Sequence, residues 1–203
     1  MSTQFAHGVI VDKWAGKSIT KVDSLAKNAV LVFGLLVVTA LCAQISIPLP
    51  FTPVPLTLQT FAVLAGAGAL GAQRAVIAQV LYIVAAIAGA PVLAPQTDGS
   101  HTVGLEVAQL PTLGYLIGFI VSSAVVGTLA NRGGTRKSVS TIAAFILGSA
   151  IIYLLGATWL AHSLDWNAST AFANGVRPFL IGDVIKAVAA GAILPSLWKI
   201  VRD

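Results

Sequence analysis

The sequence predicts an all-α membrane protein, a six-transmembrane-helix bundle with N- and C-termini cytoplasmic. Three observations predict it. The 203 residues are 57% hydrophobic and only 9% charged, with a mean hydropathy of +0.90, where soluble globular chains carry roughly 25% charged residues. Six apolar runs succeed one another from residue 28 onward, each close to the length a helix needs to cross hydrocarbon. The basic residues fall to one side of those runs, as the positive-inside rule requires.

Residues 1–27 are polar and basic, with Lys13, Lys17, Lys21 and Lys27. A signal peptide needs a continuous apolar core, and none occurs before residue 29. This first segment is expected to be a cytoplasmic tail, with room for a short interfacial helix around Trp14. Gly16-Lys17-Ser18 matches the end of a P-loop, but Val11 stands where the first glycine belongs, so no nucleotide site is visible.

Residues 28–203 form the expected membrane domain. Its runs are Asn28 to about Ile47, Leu56 to Ala72, Ala75 to Ala90, Leu113 to Ala130, Val139 to Ala161, and Pro178 to Leu197. Runs two and three lie near the short limit of roughly 17 residues for a spanning helix. Only Gln73-Arg74 separates them, which predicts a tight helical hairpin. Gly and Ala recur, as in Gly66-Ala67-Gly68, and small residues let membrane helices pack closely. The single Cys42 lies inside run one and leaves no intrachain disulfide framework.

With six spans and an inside N-terminus, the cytoplasmic segments hold Lys13, Lys17, Lys21, Lys27, Arg74, Arg132, Arg136, Lys137, Lys199 and Arg202, ten of the twelve basic residues. The net charge of +5 thus reports topology, and nucleic acid drops out as a partner. Three outer loops follow. Residues 48–55 contain four prolines and are expected to be stiff and extended. Residues 91–112 form a loop long enough to act as a lid. Residues 162–177 carry Asp165, Trp166, Asn167, Asn174 and Arg177; Asn167-Ala168-Ser169 matches a glycosylation sequon by chance.

The sixth run holds two charges, Asp183 and Lys186, three residues apart on one helix face. Ionisable groups at membrane depth are costly and mark sites. A self-neutralised structural pair is the plain alternative, but such a pair facing only lipid gains too little to offset desolvation. Thr57, Gln59 and Thr60 offer hydrogen bonds near the same outer level, and Gln44 and Ser46 end the first run there. Gln79 sits deeper, where bonding between helices accounts for it. Tyr82 and Tyr115 each join an apolar body to a polar tip; packing explains either alone, and both are carried as candidate ligand contacts. His101 and His162 lack companions at metal-ligand spacing. No catalytic motif, metal site or cofactor is expected.

Read together, Gln44-Ile45-Ser46-Ile47-Pro48-Leu49-Pro50, Pro53-Val54-Pro55-Leu56-Thr57-Leu58-Gln59-Thr60, Leu81-Tyr82, Gly89-Ala90-Pro91-Val92, Pro111 to Phe119 and Gly182-Asp183-Val184-Ile185-Lys186 resemble the BioY family. That family supplies the biotin-binding substrate (S) component of energy-coupling factor (ECF) transporters. The Pro-rich Gln-Thr segment and the final Asp-x-x-Lys are specific in combination. The resemblance implies high-affinity biotin capture and uptake across the bacterial cytoplasmic membrane, with Asp183 and Lys186 contacting ligand. It also implies a coupling transmembrane subunit and separate ATPase subunits as partners; working alone or as a homo-oligomer stays open. The lid departs from the family's glycine-rich wording, and Gln96 is its candidate contact. Ala29 and Gly34 are candidates for docking the coupling subunit. Asp183 suits ureido N–H groups, and Lys186 and Gln59 suit oxygens. Whether Lys186 meets the carboxylate or the ureido carbonyl, or Arg177 takes the carboxylate, is left open. The competing readings are an S component for another vitamin and an intramembrane enzyme using Asp183 and Lys186 as acid and base.

Overall fold

The computed structural model describes residues 8–14 and 21–202. Within the expected tail, Lys17 and the Gly16-Lys17-Ser18 fragment lie outside the described residues. The elements run α1 (Ile10–Trp14), α2 (Lys21–Gln44), β1 (Ser46–Leu49), β2 (Thr52–Thr57), α3 (Gln59–Leu70), α4 (Ala72–Ile87), α5 (Leu113–Asn131), α6 (Ser138–Ser163), α7 (Ala168–Gly175) and α8 (Leu180–Arg202). Short 3₁₀ helices cover Gly104–Gln109 and Arg177–Phe179.

Among the described residues, four segments are long and apolar enough to cross a membrane: Asp23–Gln44, Leu113–Asn131, Ser138–Ser163 and Ala168–Ile200. Helices α3 and α4 are equally apolar but shorter, at 12 and 16 residues. At 1.5 Å per residue they reach about 18 and 24 Å, less than the roughly 30 Å of a hydrocarbon core. Helix α5 lies at the centre, packed on α6, α4 and α3, while α8 packs on α6 and α3, and α2 flanks α3 and α4.

The second run differs from its expected form. Its first residues are not helical: Thr52 to Thr57 pair antiparallel with Ser46 to Leu49, in register Ser46 with Thr57, Ile47 with Leu56 and Leu49 with Thr52. The register shifts between Ile47 and Leu49, around Pro48. A two-stranded hairpin accepts four prolines because each strand has an open edge that asks for no donor. The stiff, extended loop is therefore a paired ribbon. The break between runs two and three also moves. It falls at Gly71, with φ +83°, and Gln73 and Arg74 belong to the first turn of α4. A Cβ at Gly71 would meet Asn131 Oδ1, so the turn needs glycine for space as well as for φ. The first two turns of α2 occupy residues placed in the tail. In α7, Asn167 accepts a 2.8 Å bond from the Thr170 N–H and serves as helix cap, which accounts for that part of the sequon locally.

Small residues set the helix spacing. A Cβ on Gly127 of α5 would stand 2.4 Å from the backbone N and Cα of Ala72 in α4, where neither helix can yield. Gly34 on α2 has nothing within 4 Å of the same position. Overpacking of this kind costs about 1–3 kcal/mol. Gly127→Ala is therefore expected to lower the thermal unfolding midpoint in detergent by several degrees, and Gly34→Ala to leave it unchanged.

Candidate functional site

The site begins with the problem of two charges on α8. Asp183 is buried, and Lys186 is nearly so. Three elements satisfy them. Asp183 Oδ1 accepts from Lys186 Nζ at 2.9 Å and from Thr60 Oγ1 at 3.2 Å, and Oδ2 accepts from the Tyr153 hydroxyl at 2.7 Å. Lys186 Nζ also donates to Thr60 Oγ1 at 2.7 Å and to the Thr57 carbonyl at 2.8 Å. An ammonium has three N–H donors, so all of Lys186's are used. A carboxylate has about four acceptor positions, so Asp183 keeps one in reserve beside Tyr153. The pair faces the protein interior, and it joins α8 to the β2–α3 junction and to α6.

A second set lies alongside. Thr57 Oγ accepts from the Gln59 N–H at the first turn of α3 and donates to Gln59 Oε1, both at 3.2 Å. Gln59 Nε2 donates to the Tyr82 hydroxyl at 2.8 Å, and that hydroxyl donates on to the Val92 carbonyl at 2.8 Å. The chain runs from the cleft wall, through α4, to the first residues of the lid. Other side chains hold the same lid. Gln44 Nε2 donates to the Leu93 carbonyl at 3.3 Å, and Trp159 Nε1 to the Leu110 carbonyl at 3.0 Å. His101 Nδ1 lies 2.9 Å from the Leu93 carbonyl, which can only accept, so that nitrogen carries the proton. Leu93 and Val107 anchor the lid by burial. At its outer turn, Asp98 Oδ1 accepts from the N–H and Oγ of Ser100 at 2.9 and 2.7 Å. These bonds hold the Asp98 carboxyl below the usual carboxylate range. A depressed pKa means that the turn keeps this support at neutral pH and loses it as the pH falls through the folded-state value.

Hairpin, lid and helices enclose a cleft with about 100 Å³ of free space, open at its mouth. Gln59, Thr60, Tyr115, Asp183 and Lys186 line it, and Gln96 stands at its rim on the lid. Gln96 donates to Thr102 Oγ1 at 3.0 Å and is exposed. Tyr115 presents its ring against Gly156 of α6, where a Cβ would collide with it, and pins its hydroxyl to the Gly175 carbonyl at 2.7 Å. Tyr82 is fully buried outside the lining and meets the cleft only through Gln59. Arg177 is exposed and does not line the cleft. Gln79 joins α4 to α2 through Thr39 at 3.3 Å, as its depth suggested. The aromatic walls are Tyr115, Phe119, Tyr153 and Phe179. Tyr153 is the residue that sequence reading passed over. It lies mid-run among apolar neighbours, and its only clue was being the third tyrosine of a membrane domain that places polar tips with care.

A bundle of apolar helices with a buried acid–base pair at the foot of a lidded, aromatic-walled cleft defines a membrane protein that binds a small polar ligand. The BioY family model matches residues 14–203, and the chain belongs to that family. Relatives from several organisms carry that family name. A probable biotin transporter BioY of Pyrococcus horikoshii is 35% identical, over 85% of this chain and 96% of its own length. Biotin transporters BioY of Rhizobium etli and Thermotoga maritima are each 36% identical, over 78% of this chain and 89% and 88% of theirs. A crystal structure of the S-component for biotin from an ECF-type ABC transporter superposes with a TM-score of 0.77, covering 90% of this chain and 95% of that one. At 24% identity that likeness speaks for the fold.

Tyr82 is the joint between cleft and lid. Tyr82→Phe leaves the Val92 carbonyl and one Gln59 N–H without a partner, a loss of about 1–3 kcal/mol. Hydrogen exchange in residues 92–103 is expected to quicken on the order of ten-fold, while exchange in α5 and α6 stays unchanged.

Proposed function

We propose that this chain captures biotin from outside the cell and serves as the substrate-binding subunit of an ECF-type uptake system. The single observation that carries the reading is the Asp183–Lys186–Thr60–Tyr153 cluster at the foot of the cleft, in a chain whose relatives are biotin transporters. Biotin joins a ureido ring with two N–H donors to an apolar bicycle and a valerate carboxylate. Asp183, with an acceptor position still open, takes a ureido N–H. Lys186, whose donors are all engaged, holds Asp183 in place and meets a ligand oxygen only by releasing Thr57 or Thr60. Gln59 and Thr60 add neutral hydrogen bonds, Tyr115 covers the bicycle, and Gln96 meets the ligand from the lid. Tyr82 acts at one remove, through Gln59.

In the proposed arrangement α3 and α4 complete a six-helix bundle within residues 28–203, with both termini cytoplasmic in a bacterial inner membrane. The distribution of basic residues supports that orientation. The chain binds and does not catalyse; ATP hydrolysis belongs to separate subunits, reached through a coupling membrane subunit. The exposed face of α2 supports such docking: Val30, Phe33 and Leu41 are open, and Ala29 and Gly34 lie among them.

Labelled biotin binding to purified protein tests the reading directly. Wild type is expected to bind saturably, and absence of binding defeats the proposal. Asp183→Asn keeps shape but removes charge from the acceptor, which costs about 1.5–3 kcal/mol, or roughly ten- to a hundred-fold in affinity. Lys186→Met leaves a buried carboxylate unpaired and is expected to lower the unfolding midpoint as well as binding, by about 3–5 kcal/mol.

A further inference from the structure

The end of the bundle opposite the cleft holds a second concave site. Along α8, Lys199 lies thirteen residues beyond Lys186, about 20 Å at 1.5 Å per residue. There Lys13 of α1, Arg136 of the α5–α6 turn, and Lys199, Pro195 and Trp198 of α8 line a hollow of about 300 Å³. Three cations thus converge from three separate elements.

The convergence is built. Helix α1 is only five residues long, yet it packs on α3 and α8, Ile10 is buried in the main core, and Val9 and Val11 are buried in a cluster with Ala130 of α5 and Leu31 of α2. On its other side Asp12 pairs with Arg74 at 2.7 Å, and Arg74 also donates to Asn28 Oδ1 at 2.8 Å. Asp12 is therefore committed away from Lys13. The guanidinium of Arg136 lies 4.8 Å above the ring of Trp198. Trp198 is buried, its Nε1 donates to Thr135 Oγ1 at 3.3 Å, and Thr135 Oγ1 donates to the Gly68 carbonyl at 3.2 Å. Floor and rim are thus fixed to α3 and α8. Among the described residues no carboxylate lines the hollow, and none pairs with Lys13, Arg136 or Lys199. Elsewhere the buried or half-buried cations Arg74 and Lys186 each have an acidic partner.

We propose that this hollow binds the phosphate of an anionic phospholipid. Three unpaired cations attract one headgroup, and Arg136 can offer parallel N–H donors to phosphate oxygens. The surroundings favour a lipid over a soluble anion. Val139 at the start of α6 and Ile193 and Ile200 in the last three turns of α8 are exposed and give acyl chains an apolar path away from the headgroup.

Native mass spectrometry of the full chain, released from detergent mixed with phosphatidylglycerol or phosphatidylcholine at equal concentration, tests this. Wild type is expected to retain phosphatidylglycerol on the order of ten-fold more than phosphatidylcholine. Lys199→Gln should cut that preference, and Arg136→Gln combined with it should abolish it. Lys137→Gln removes the same charge outside the hollow and should keep the preference. Equal retention by wild type and the double variant overturns the proposal. So does an equal loss in Lys137→Gln, which reduces the effect to general positive charge. A saturable adduct with inorganic phosphate alone, lost in the double variant, assigns the hollow to a soluble anion and overturns the lipid as well. An unchanged unfolding midpoint of Lys199→Gln in phosphatidylcholine micelles shows that its loss is not misfolding.

Discussion

The fold depends on burying one ion pair without leaving it unpartnered. Asp183 and Lys186 sit on the same face of a membrane-spanning helix, where an isolated charge is costly and an exposed pair gains little. The structure meets that demand from three directions: Thr60 and the Thr57 carbonyl from the hairpin and α3, and the Tyr153 hydroxyl from α6. Each is needed where it is because the others leave a specific donor or acceptor unfilled. The start of α3 just after Thr57 follows from this. So does the use of an extended ribbon ahead of it, since a helix would have tied up the Thr57 carbonyl within its own ladder.

Around that centre the polar groups divide by task. At the cleft Asp183 keeps one acceptor position open, while Lys186 and the groups behind it are spent on structure. Tyr115 gives its ring to the wall and its hydroxyl to α7, and Tyr82 gives everything to Gln59 and the lid. The lid, long as it is, is held at Val92, Leu93 and Leu110 by side chains from α2, α4, α6 and its own His101. It is a cover fastened at both ends.

Much of this was legible in the sequence, for identifiable reasons. Long helices show as apolar runs because lipid tolerates few alternatives, and α5, α6 and α8 begin and end within a few residues of the expected limits. The two charges of α8 stood out because the membrane makes them anomalous. Less legible was whatever depends on pairing at a distance. The prolines of residues 48–55 announce stiffness but not that Ser46 faces Thr57. Gln73-Arg74 looks like a turn because it is polar, yet the chain turns at Gly71, where φ and the nearby Asn131 decide. Tyr153 was invisible because a tyrosine in an apolar run announces nothing about what its hydroxyl will meet. The short α1 could be suspected from Trp14, but not that it would pack on α3 and α8 and bury Ile10 and Val11.

The brevity of α3 has a geometrical consequence. Its 12 residues span about 18 Å, short of a hydrocarbon layer roughly 30 Å thick, and in the proposed arrangement the hairpin and cleft take up the difference. On that proposal a molecule resting on Gln59 and Asp183 has already sunk below the outer headgroups. The barrier that remains beneath it is the height of one short helix. In a protein whose proposed task is to bring cargo inward, part of the journey is completed by binding.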